Sequence, residues 1–173
     1  MSWFDRMAEF YMELYKPPKL NRPHLQNTHM WLEFYYNTRG FGNLRLINSG
    51  NIVDDYMCRT GSINSSGKLV NALPVGDWLC LEPSVDTTEV SMFIHEGKGW
   101  KIRLYRVTED GYKWTRYLIH PDGGRVINNG TKGCIGILGS DATSFRIELD
   151  DTIQAYGTLP LYARKDNEEQ QAA

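Results

Sequence analysis

A mainly β domain is what this sequence predicts, and three observations carry the prediction. From Met30 onward apolar residues alternate with polar ones at a period near 2, the repeat of a strand with one buried face. The alternating runs are short. Turn chemistry separates them: "NSGN" (48–51), "EGKG" (96–99) and "TEDGY" (108–112) supply the Gly, Asn and Asp that tight hairpins need. The expected strands are 30–36, 44–48, 52–61, 77–83, 89–95, 100–107, 113–120, 134–138 and 145–149, arranged as an antiparallel or mixed β-sandwich.

Ahead of the strands, Trp3, Phe4, Met7, Phe10, Tyr11, Leu14 and Tyr15 recur at the spacing of one helix face, with Ser2 placed to cap it and Pro17-Pro18 to stop it. An amphipathic helix over 1–16 follows, either packed on the domain or used for docking or self-association. Residues 17–29 read as a linker, 30–163 as a single β-rich domain, and the polar 164–173 as a disordered tail. "SDATSF" after the Cys134 run suits a short helix capped by Ser140 or Asp141.

The totals exclude several functions. With 173 residues, 41% apolar, 23% charged and a net charge of −2, the chain has room for one core and no field to gather polyanions. Nucleic acid is therefore not an expected partner. No apolar run approaches the ~20 residues that span a bilayer. Asp5, Glu9 and Glu13 interrupt the stretch where a signal peptide would be apolar, so membrane insertion and signal-directed export are not expected. Cys58, Cys80 and Cys134 form no metal-type pair, and their odd number argues against a disulfide framework. No metal or other cofactor is expected.

One stretch carries chemistry: "IHPDGGRVINNGTKGCIGI" (119–137). His120 ends one strand run and Cys134 begins the next. A neutral imidazole can take the thiol proton, and Gly133 and Gly136 clear the backbone around the sulfur, leaving the Gly133 and Cys134 amides to serve an oxyanion. Set against this, a strand cysteine is most often a small buried hydrophobe. Cys58 and Cys80, inside apolar runs without adjacent glycine, read as core residues.

The same stretch resembles the signature of the L,D-transpeptidase (YkuD-type) catalytic domain, with His120, Thr131, Gly133 and Cys134 at its positions in order. Upstream, Thr60-Gly61 and Pro74-Val75-Gly76-Asp77-Trp78 resemble elements that open such a domain, so the likeness runs over about 42–150. It differs in a shorter loop after His120, in Lys132 where His is common, and in Gly136 where an Arg is usual, which is closer to shortened phage and effector-like versions. The resemblance implies Cys134 as nucleophile, His120 as general base, Gly133 and Cys134 as oxyanion donors and Thr131 as a supporting hydrogen-bonder. Lys132, Arg116 and Tyr117 become candidate substrate contacts; Lys132 reads first as a solvated loop lysine and second as a cation serving Cys134 and the stem's carboxylates, and at most one of Arg116 and Tyr117 faces the cleft. The implied substrate is the stem peptide of peptidoglycan, cut or exchanged at an L-to-D bond. An enzyme made in the cytoplasm would then reach the wall by release or delivery. The alternative is a relative that keeps the sheet without the chemistry, as a wall-binding or phage structural module.

Overall fold

The computed structural model describes residues 29–87, 94–95, 98–122, 131–139 and 142–166. The expected N-terminal helix, all of the linker before His29, the Ser140–Asp141 cap and the tail from 167 lie outside these residues. In chain order the elements are β1 (Met30–Tyr36), β2 (Phe41–Asn48), β3 (Asn51–Ile63), β4 (Leu69–Val70), β5 (Gly76–Cys80), β6 (Val85–Asp86), β7 (Ile94–His95), β8 (Lys98–Thr108), β9 (Gly111–Pro121), β10 (Thr131–Ile137), α1 (Ala142–Tyr156) and β11 (Leu159–Lys165).

The alternation that predicts the strands is the alternation that fills the interior. Along β1, Met30, Leu32, Phe34 and Tyr36 are buried while the residues between them are partly exposed. Leu44 and Leu46 of β2, Tyr56 and Cys58 of β3, Trp78 and Cys80 of β5, Ile102 and Leu104 of β8, Ile119 of β9, Ile135 and Ile137 of β10 and Leu161 of β11 join them in one cluster. Cys58 and Cys80 are thus core residues, and burial pushes both thiols up, Cys80 to about 12. The β2–β3 hairpin turns at Ser49 and Gly50, both at positive φ (50° and 85°), as a two-residue turn between right-twisted strands requires.

The expected sandwich is not what forms. Its strands are joined in one circuit, β1-β2-β3-β10-β9-β8-β5-β11 and back to β1, so the sheet closes into a barrel. Two strand pairs are parallel, β1 with β11 and β9 with β10, and the rest of the circuit is antiparallel. Closure removes the edges that a sandwich leaves open. β11 was not expected. Pro160 interrupts its pattern, and it extends to Lys165, so Arg164 and Lys165 belong to the sheet and not to a frayed tail.

The run 145–149, expected as a strand, is helix. Phe-Arg-Ile-Glu-Leu alternates over five residues, but the longer window buries Ala142, Phe145, Leu149, Thr152 and Ile153, the spacing of a helix face, and leaves Ile147 57% exposed. The helix after the cysteine strand is therefore longer than expected. Phe145 packs on Tyr56 of β3 (ring centroids 4.2 Å apart), and the Gly157 amide closes the last turn on the Ile153 carbonyl at 2.8 Å. Ser84, accepting from Arg146 and donating to Asp150, ties the outer side of the helix to the chain after β5. Among the described residues, no helix is long and apolar enough to cross a membrane.

Phe34 is completely buried at the centre of this interior. Phe34→Ala should cost about 3–5 kcal/mol of unfolding free energy, read as a lower urea midpoint with an unchanged slope. A change under about 1 kcal/mol would mean that Phe34 does not sit in a packed core.

Candidate active site

Three neighbouring strands set the geometry. In the β9–β10 ladder Ile135 faces Ile119, Gly136 faces His120 and Ile137 faces Pro121. Partners across a ladder point to the same side of the sheet. Ile119, Ile135 and Ile137 point into the core, so His120, position 136 and Cys134 point to the outer side. Cys134 is thereby the diagonal neighbour of His120, their Cα atoms about 8 Å apart by strand geometry. On the other side of β10, Arg59 of β3 faces Gly136. Arg59, Gly136 and His120 form one row across three strands.

His120 is 1% exposed. Its Nδ1 lies 2.7 Å from the Pro121 carbonyl, which can only accept, so Nδ1 carries the proton and the lone pair of the neutral ring sits on Nε2. Burial drives the imidazole down to about 4; the Pro121 carbonyl and the Asp122 carboxylate oppose the shift, and Arg59 adds to it. A neutral ring at neutral pH is a proton acceptor. Cys134, also buried, is pushed up by desolvation, with the Leu118 backbone and the Arg103 guanidinium pulling the other way. At neutral pH the two groups are thus a thiol and a neutral imidazole.

Gly133 adopts φ +80°, and a Cβ there would stand 2.2 Å from the Tyr117 ring. Only glycine lets the strand turn into Cys134 against that ring. Its amide, expected to serve an oxyanion, donates instead to the Asn71 carbonyl at 2.6 Å. Asn71 precedes Leu73, whose amide donates to the buried Thr60 hydroxyl and whose carbonyl accepts from Tyr36. Thr60-Gly61 therefore braces the wall beside the cysteine strand. The second upstream element acts through Trp78, whose ring meets Tyr117 edge-on at 5.4 Å.

The other expected residues separate. Tyr117 is half-buried against the core and Gly133, a wall of the site more than a presented contact. Arg116 is exposed, next to an irregularity where β9 places extra residues opposite Leu104. Lys132 is exposed, and Thr131 begins β10 opposite Gly61. His29 is exposed ahead of β1 and His95 lies on β7; His24 falls outside the described residues. A separate concavity of about 650 Å³ on the outer side of β1–β3, lined among others by Tyr35, Phe41, Arg45 and Met57, includes neither His120 nor Cys134.

Sequence reasoning missed Arg103 and Arg59, because each enters from a strand remote in sequence. Arg103, opposite Leu118, donates to the Thr115 carbonyl at 2.7 Å and stacks over Trp114 at 4.6 Å. Arg59 is ion-paired with Asp122, one Nη donating at 2.9 Å, and both are largely buried. Asp122, two residues past His120, is the partner of an arginine distant in sequence.

No known family model matches the chain, and no curated protein matches it. Among solved structures, it is similar to an L,D-transpeptidase from Xylanimonas cellulosilytica, at 12% identity and TM-score 0.41 over 91% of this chain and 69% of that one. It is also similar to the catalytic domain of an L,D-transpeptidase from E. faecium acylated by ertapenem, at 13% identity and TM-score 0.41 over 79% and 97%. At that level neither likeness bears on what this chain does.

Arg103→Gln should slow alkylation of Cys134 by iodoacetamide near pH 8 by roughly threefold to tenfold, since the cation favours the thiolate. An unchanged rate would remove Arg103 from the site. His120 also leaves a stability signature. It stays neutral in the fold down to about 4 but protonates at its ordinary 6.5 when unfolded, so stability present above pH 6.5 is lost as pH falls toward 4. In thermal melts across that window His120→Gln should flatten the decline, and an unaltered slope would contradict the assignment.

Proposed function

We propose that the chain is a cysteine-dependent enzyme of L,D-transpeptidase type, directed at the stem peptide of peptidoglycan. The observation that carries the reading is the parallel β9–β10 register, which sets His120 and Cys134 on one side of the sheet. The motif order His120, Thr131, Gly133, Cys134 supports the substrate class. Attack of the Cys134 sulfur on the carbonyl carbon before a D-residue would pass the thiol proton to His120 Nε2. Collapse of the tetrahedral adduct returns that proton to the leaving amine and leaves a thioester. Water, losing a proton to His120, then releases the acid, whereas an amine acceptor gives a new amide. Action at the wall follows release or delivery of the protein from the cytoplasm.

A second reading has its own observation. The Gly133 amide is occupied by Asn71 and Cys134 is only 7% exposed, which favours a wall-binding or structural module that retains the strands without turnover.

Purified murein incubated with the protein and analysed by mass spectrometry separates the two. New stem products that disappear in Cys134→Ala and fall by at least a hundredfold in His120→Gln are expected of the enzyme. Retention on murein without new products supports the module, and equal product from Cys134→Ala would end the enzymatic reading.

A further inference from the structure

The row Arg59–Gly136–His120 has an element that the chemistry above does not use. Asp122 follows His120 by two residues, and its amide donates to the Ile137 carbonyl of β10 at 2.8 Å, which holds it against that strand. Arg59 projects from β3, on the far side of β10. For guanidinium and carboxylate to meet, as they do, Arg59 must cross β10, and the position it faces there carries no side chain, Gly136. A larger residue at 136 would stand in the row between Arg59 and His120. The pair is not a surface ornament: the side chains are 13% and 5% exposed. A buried ion pair contributes little net stability compared with apolar packing, and its retention beside a titrating ring calls for another account.

We propose that Arg59 and Asp122 are the positioning pair of this site, a buried cation and anion threaded over Gly136 in the row that holds His120, which fix the charge environment where the imidazole meets Cys134. The inference rests on the reading of His120 and Cys134 as base and nucleophile. Among the described residues, the charged groups that act on the ring are Asp122, directly after β9, and Arg59 on β3; Cys134 on β10 is its diagonal neighbour, and Arg103 on β8 acts on Cys134. Of these, Asp122 favours the imidazolium and Arg59 disfavours it. Burial keeps the histidine neutral; the pair adjusts that balance and leaves an anion near the ring when the proton arrives.

Single substitutions then have opposite signs, a result that general loosening of the site would not produce. The His120 midpoint, followed by NMR of the imidazole in the whole protein and assigned with His120→Gln, should rise by about one pH unit in Arg59→Met and fall in Asp122→Asn. The acid limb of murein turnover should move the same way. Arg45→Met, which breaks the exposed Arg45–Asp55 pair on β2–β3, should leave the midpoint in place. Where a lone buried charge prevents folding, the exchanged variant Arg59→Asp/Asp122→Arg keeps a pair and puts the cation directly after the histidine's own strand, so the midpoint should fall. Midpoints that stay put, or that move in the same direction in both single variants, overturn the inference. Loss of the enzymatic reading is distinguishable: it appears as no new product from murein, or as equal product from Cys134→Ala, with the midpoint shifts intact.

Discussion

The site depends on β10 joining two strands at once. It runs parallel to β9 on one side and antiparallel to β3 on the other, and those two ladders close the barrel. With β10 in place, the strand edges of β3 and β9 are both paired, the core side receives Ile135 and Ile137, and the outer side receives Cys134 in the neighbourhood of His120. A slip of one residue in the β9–β10 register would exchange these faces, putting the thiol inside and an isoleucine beside the imidazole. The packing of two isoleucines against Ile119 therefore fixes the chemistry on the opposite face. The site is a consequence of the core.

That strand also explains why its glycines are unlike one another. Gly133 serves a steric end: it carries the backbone past Tyr117, which is held edge-on by Trp78, whose outer face in turn lies under the Arg106 guanidinium at 4.7 Å. Gly136 lies in the middle of a lateral row whose flanking side chains are large and polar. One glycine is needed for what its backbone does and the other for what its neighbours do. Both stand within three residues of the thiol, whose reactivity is opposed by burial and assisted by Arg103. The electrostatics at this place are balanced more than extreme, with a cation and an anion near the histidine and a cation near the cysteine; the two cations sit on strands and the anion directly follows β9. A site built on strands keeps its geometry better than one built on loops.

Much of the fold could be read along the chain, because strand alternation is a local signal. Seven of the expected runs, 30–36, 44–48, 52–61, 77–83, 100–107, 113–120 and 134–138, overlap strands of the barrel. Two errors have physical causes. The run 145–149 alternates like a strand over five residues, and only the spacing out to Ile153 shows that its apolar face turns with a helix. β11 is hidden in the sequence because Pro160 breaks its pattern, yet a proline is tolerated where its missing amide removes no needed ladder bond. Whether sheets close or stack depends on which strands pair over long separations, and alternation is silent on that point.

What the sequence determined by itself was the inventory: an alternating chain that must bury one face of each strand, a histidine at the end of one run and a cysteine among glycines at the start of the next. Those are properties of neighbouring residues, and neighbours in sequence are enough to reveal them. Tertiary structure alone decided that the sheet closes, that His120 and Cys134 share a side, that the Gly133 amide goes to Asn71, and that Arg59 and Arg103 arrive from β3 and β8. Each of these joins residues far apart in the chain, through ladders whose register is set by the core. No local pattern specifies such a register, because it is the packed interior as a whole that selects it.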